Sequence, residues 1–281
     1  MLPSRRCPVV AVLALALALV GAGCASSSSV RHDTAEEAYQ GGMDAFERGD
    51  YEEAISYFQA VFDYGRDNEW ADDAQLQLAR AYREDGRHLL AAQQFRRFAR
   101  LYSSDERAAQ AEYQRAMSYY RVSPDYDLDQ TYTEKALNFF QLFADRYPQH
   151  ERAEAVEEKI TELRGKLARK QLAAARQYER RELWEASADA FENVFRQYPD
   201  TRWVDEALLG AVRTSVAYAE RSIESKQAER YRRAVDNYRR LEQIFPDSPL
   251  LEKATAHYET AQERLAELEG EGGQPLAETD E

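Results

Sequence analysis

Apolar residues are distributed along this chain in two ways. Residues 9–20 form an unbroken apolar run, preceded by Arg5 and Arg6 and followed by Gly21, Ala22, Gly23 and Cys24. A helix that spans a membrane needs about 20 such residues. A positive start, a short apolar core and a small-residue exit instead predict a signal peptide over residues 1–23. From Thr34 to about Leu268 the apolar positions come in helical segments parted by short polar breaks. Pro124, Pro148, Pro199, Pro246 and Pro249 all fall in those breaks, where a missing N–H does no harm.

The segments repeat. A small residue followed four later by an aromatic recurs as Ala54/Phe58, Ala91/Phe95, Ala136/Phe140, Ser187/Phe191 and Ala234/Tyr238. These pairs mark the second helix of each repeat. Gly42/Ala45, Ala79/Tyr82, Ala116/Tyr119 and Ala175/Tyr178 hold the small and mostly aromatic positions of first helices, and Gly49 and Gly86 mark turns between helices. A small residue lets two helices approach, and an aromatic one turn along fills the gap above the next pair. This grammar resembles the tetratricopeptide repeat, a helix–turn–helix unit, with loops or helices lengthened after the second copy. It predicts an all-α fold: a right-handed α-solenoid of about five repeats whose first helices line a concave face, closed by a capping helix over residues 250–268. The expected organisation is a tether at 24–33, repeats through the first helix of the third at 34–124, the remaining repeats and cap at 125–268, and a disordered acidic tail at 269–281.

Composition narrows the chemistry. With a net charge of −14 the surface repels phosphate backbones, which argues against nucleic acid as a partner. The two cysteines, Cys7 and Cys24, both lie near the start, so the body has no thiol for a disulfide or a metal site. His32, His88, His150 and His257 are scattered, and no phosphate loop or nucleophile motif is present. Asp125, Asp127 and Asp129 alternate like calcium ligands but lack the glycine and closing glutamate of such a loop. No metal or cofactor is expected, and the chain reads as a binding scaffold rather than an enzyme.

The small-residue stretch ending in Cys24 resembles the lipobox of bacterial lipoproteins, with Gly21 standing where leucine is usual. It implies a covalent lipid on Cys24. The absence of an Asp after the cysteine points to the outer membrane, facing the periplasm. Asp127-Leu128-Asp129-Gln130-Thr131, running on to Arg146-Tyr147-Pro148, is similar to the third repeat of the BamD family, the lipoproteins of the outer-membrane β-barrel assembly machine. A second stretch, Leu163-Arg164-Gly165-Lys166-Leu167-Ala168, leads to Arg196-Gln197-Tyr198-Pro199-Asp200-Thr201 and matches the same family.

The resemblance implies that N-terminal repeats bind the C-terminal strands of unfolded outer-membrane proteins. It also implies that C-terminal repeats dock a periplasmic domain of the barrel-assembly catalyst subunit. An arginine that proteobacterial members place before the repeat-four aromatic is Ala190 here, so that docking contact is not carried over. On the repeat register, groove positions are Tyr39, Met43, Leu76, Arg80, Arg83, Tyr113, Met117 and Tyr120, a set suited to an aromatic-rich extended peptide. The alternative is another anchored repeat lipoprotein: a pilotin for secretin or pilus assembly, or a coordinator of the cell envelope.

Overall fold

A computed structural model describes residues 30–271, and every regular element among them is helical. In order they are α1 (Ala35–Glu47), α2 (Tyr51–Ala60) with a 3₁₀ turn (Val61–Tyr64), α3 (Ala71–Glu84), α4 (His88–Leu101) and α5 (Ala108–Arg121). Then come α6 (Thr131–Arg146), α7 (Ala153–Arg180), α8 (Trp184–Gln197), α9 (Val204–Glu220), α10 (Glu224–Ile244) and α11 (Leu251–Glu271). The fold is all-α and of the tetratricopeptide-repeat type, as the small–aromatic spacing predicts. The expected signal peptide, Cys24 and the tail beyond Glu271 lie outside the described residues. The last helix runs three residues past Leu268, so the start of the segment expected as a disordered tail is helical.

The chain forms two compact units that divide between Arg87 and His88, inside the turn of the second repeat. The boundary expected at 124/125 falls within the second unit.

In the first unit Thr34 starts α1. Its hydroxyl accepts the Glu37 N–H at 3.1 Å, and the Glu37 carboxylate accepts the Asp33 N–H at 2.7 Å, a reciprocal cap. Ala54 and Phe58 of α2 are fully buried. Gly42 faces that ring so closely that a Cβ would stand 2.6 Å from it, so the glycine sets the helix spacing. Gly49 closes the turn at φ +82°. Ala38, Ala60, Val61 and Ala74 complete this small core, with Tyr39 and Trp70 packed against it.

In the second unit the remaining pairs are buried as expected: Ala91/Phe95, Ala136/Phe140, Ser187/Phe191 and Ala234/Tyr238. Pro148, Pro199 and Pro246 each stand two residues beyond the end of α6, α8 and α10, after an aromatic C-cap. One first-helix assignment needs correction, and one position was missed. Tyr178 is 38% exposed and fills no gap, because it lies in the last turn of α7. In α9 the small position is Gly210, where a Cβ would meet Phe191 at 2.5 Å.

The lengthening expected after the second repeat lies in the insertion between α5 and α6, in α10 and most of all in α7, which has 28 residues against 14 in α8. Its first half (Val156, Ile160, Leu163) packs with Tyr113, Phe140 and Phe143. Its second half (Ala168, Leu172, Ala175) packs with Phe191, Val194, Ala207 and Ala211. One continuous helix thus belongs to two successive cores. Helices α9, α10 and α11 close the unit, with Tyr238 and Tyr258 stacked 4.1 Å apart.

Candidate functional site

The segments that carry the family resemblance are far apart in sequence, and all three meet on the middle of α7. The first is the insertion before α6. Gln130 is buried, and its amide donates to the carbonyls of Asp125 (2.8 Å) and Leu128 (2.9 Å). Its carbonyl accepts the Thr133 hydroxyl at 2.7 Å. Asp129 accepts the Thr131 N–H at 3.0 Å, and hydrogen bonds from Thr131 hold its carboxyl below the usual range. The loop is then fastened to α7: Lys166 donates to the Ser123 hydroxyl at 2.8 Å and Lys170 to the Leu128 carbonyl at 2.6 Å. Asp127 and Leu128 remain exposed. The alternating aspartates therefore build a loop rather than an ion cage.

The other two segments are locked to each other. Arg164 of α7 grips the Asp200 carboxylate with two donors, at 2.8 and 2.5 Å, and also lies over the Tyr198 ring. The hydrogen bond from Arg164 keeps Asp200 more acidic than an ordinary aspartate. Thr201 is buried and donates to the Tyr198 carbonyl at 3.0 Å. Gly165 and Lys166 of the second segment and Asp200 and Thr201 of the third, with Asp125 and Tyr126 from just before the first, thus line one cavity of about 460 Å³.

The walls of this cavity add residues that sequence reasoning passed over. Arg169 lays its guanidinium over the Tyr126 ring at 3.9 Å and stands 5.6 Å from the centre of the Trp203 ring. Arg202 lies over Trp203 at 4.6 Å. Gly165 forms part of the floor, and a Cβ built there meets no atom within 4 Å. A glycine inside a helix costs roughly 0.5–1 kcal/mol relative to alanine. That mid-helix glycine, together with an Arg-Trp pair directly after Thr201, was the signal available in the sequence.

The eight expected groove residues are split by the unit boundary. In the first unit Tyr39 packs 5.0 Å from the Trp70 ring, Met43 is half-buried and Leu76 is buried at 5% exposure. Arg80 donates to Gln77, and Arg83 to Glu84. Leu76, Arg80 and Arg83 share one face of α3 at i, i+4, i+7 spacing. In the second unit Tyr113, Met117 and Tyr120 repeat that spacing on α5. Tyr113 is buried against Phe140 and Phe143, with Arg152 over its ring, and Met117 packs on the same core. Tyr120 donates to Glu162 at 2.7 Å and accepts from Lys159 at 3.1 Å; burial, then Glu162, raises its pKa. Leu76 and Tyr113 are therefore core residues of their units and offer a partner little surface.

Tight helix turns, aromatic joints and a side-chain-lined cleft define a helical-repeat scaffold of the tetratricopeptide class. The outer membrane lipoprotein family YfiO matches residues 31–229. The chain is 30% identical over 210 residues to the outer membrane protein assembly factor BamD of Caulobacter vibrioides, covering 73% of this chain and 69% of that one. It is 25% identical over 259 residues to the BamD of Neisseria meningitidis serogroup B, covering 86% and 93%. Among solved structures it is similar to a TPR repeats protein from Bacteroides fragilis, at 11% identity and a TM-score of 0.44, covering 83% of this chain and 99% of that one. This chain belongs to the BamD-type outer membrane lipoprotein family.

Proposed function

We propose that the chain is the lipid-anchored, non-catalytic scaffold of an outer-membrane protein assembly machine. The family match across residues 31–229, with curated relatives that are outer membrane protein assembly factors, carries this reading. Its role lies in outer-membrane protein assembly, through protein–protein contacts at the outer membrane. No helix among the described residues is long and apolar enough to cross a membrane. Attachment is assigned to lipid on Cys24, where two or more acyl chains hold firmly while one binds only marginally.

The finer assignments rest on the helix faces. Tyr39, Met43, Arg80 and Arg83 in the first unit, and separately Met117 and Tyr120 in the second, are assigned to C-terminal strands of unfolded barrel proteins, with Leu76 and Tyr113 serving as the buried support beneath them. Exposed parts of the methionines adapt to varied clients, and the arginines suit a terminal carboxylate. The repeats of the second unit are assigned to a periplasmic domain of the barrel-assembly catalyst. Crosslinking in intact envelopes and subsequent purification test the role: a large barrel protein with periplasmic domains is expected. Recovery of secretin subunits or wall enzymes in its place would sink it. Fatty-acid labelling, present in the wild type and lost in Cys24→Ala, tests the anchor.

A further inference from the structure

The cavity on α7 has a charge balance that its surroundings do not explain. Acidic residues outnumber basic ones 51 to 37 in this chain, so a cation that lacks a carboxylate partner is informative. Two of the three carboxylates at the cavity are already committed: Asp200 to Arg164, and Glu162 to Tyr120 and Lys159. Burial pushes the Glu162 pKa up, but those hydrogen bonds outweigh it and keep the group ionised and engaged. On the other side, Arg169 and Arg202 have no carboxylate within 4.0 Å among the described residues, and both are exposed. Lys166 donates to a neutral partner, the Ser123 hydroxyl, and its charge also acts on Glu162, so it adds less to the balance than the two arginines.

The two arginines are also oriented. Each guanidinium rests on an aromatic face, which fixes its plane and leaves the N–H edges for a planar acceptor. Two such edges beside a lysine match a carboxylate, and fixing them in advance lowers the entropy lost on binding. The partly open faces of Tyr126 and Trp203 offer apolar contact beside that charge. Gly165 keeps the floor empty, at the expense of helix stability and with no neighbour that requires it.

We propose that this cavity is a carboxylate-binding subsite for an acidic, aromatic-bearing peptide segment of a protein partner. It deepens the scaffold reading above and rests on it for the choice of a protein ligand. A phosphate group fits less well. The adjacent start of α9 carries its own acids, Asp205 and Glu206, so no free helix terminus is available for a dianion. Asp125 on the rim adds repulsion that a single carboxylate tolerates better.

The test uses the full chain in detergent and dye-labelled short peptides that combine Phe or Tyr with Asp or Glu, read by fluorescence anisotropy. The acidic peptides should bind at least about tenfold more tightly than the same peptides with Asn and Gln. The double variant Arg169→Gln/Arg202→Gln should lose that preference. Gly165→Leu should block binding by filling the floor, while its circular dichroism and melting temperature stay at or above wild type. Equal affinity for acidic and amide peptides, or unchanged binding in both variants, overturns the proposal. So does displacement of the peptide by inorganic phosphate or phosphatidylglycerol vesicles more effectively than by free glutamate. Envelope crosslinking of wild type and Gly165→Leu keeps the two readings apart. Absence of assembly partners from the wild type condemns the scaffold role, whereas no preference of the wild type for acidic peptides while those partners are recovered condemns only the subsite.

Discussion

The joint between α8 and α9 is packed shut, the middle of α7 is left open, and a glycine stands at the centre of each. At Gly210 the Phe191 ring occupies the space a Cβ would need, 2.5 Å away. At Gly165 nothing lies within 4 Å. In the first case the missing side chain lets two helices close, and burial of a phenylalanine more than offsets the loss of helix propensity. In the second the missing side chain brings no packing gain, and what the glycine supplies is the vacancy itself. A small residue in a helix therefore has two opposite meanings, and only the residue across from it decides between them.

The largest expected effect attacks the closed joint. Phe191→Ala should lower stability by about 3–5 kcal/mol in urea titration. Gly210→Ala should cost about 1–3 kcal/mol in the wild-type background by overpacking, yet little or nothing once Phe191 is alanine. Simple additivity of the two changes would break the contrast at its closed end. Gln130→Leu probes the loop that frames the open end. It keeps the shape but abandons two carbonyls and the Thr133 hydroxyl, so a loss of about 1–3 kcal/mol is expected, with faster amide exchange at residues 125–133.

Smaller effects sharpen the contrast. Gly165→Ala should raise stability by up to about 1 kcal/mol, because the helix gains propensity and no atom is displaced. A loss there would mean that the glycine serves packing after all. The Asp200 carboxylate titrates below its ordinary value because Arg164 holds it. Its contribution is therefore present above the unfolded pKa of about 4 and lost as pH falls through the folded one. Asp200 is 48% exposed, so solvent screening limits this to less than about 1 kcal/mol. Asp200→Asn should flatten the fall in melting temperature between about pH 5 and pH 3 relative to wild type.

Local grammar made the helix joints readable. A small residue and a ring one turn apart act within a single helix, so the pairs Ala54/Phe58 and Ala136/Phe140 point inward wherever the repeat folds. The same reading misplaced Tyr178, since the small–aromatic rule ignores where a helix ends. It also passed over Gly210, whose partner Phe191 lies on the preceding helix. The cavity was legible only as fragments. Arg164 and Asp200 are 36 residues apart, and Lys170 and Leu128 are 42 apart, distances set by the lengths of α6, α7 and α8 rather than by any local pattern. The missing glycine and closing glutamate already argued against an ion at the aspartates of the insertion, but they do not reveal that Asp129 and Gln130 are occupied by the surrounding backbone.

The length of α7 has a consequence for how this chain can vary. A helix of 28 residues extends about 42 Å, and each added residue rotates the remainder of the helix by about 100°. Because its two halves seat different cores, an insertion or deletion inside it would turn the Ala168/Leu172 side away from α8 while the Val156/Ile160 side stayed in place. Homologous chains should accordingly accept length changes in the loops around Asp127 and Ser222, and keep the count between Val156 and Ala175 constant. The spacing of those residues is a ruler, and the rest of the second unit is measured against it.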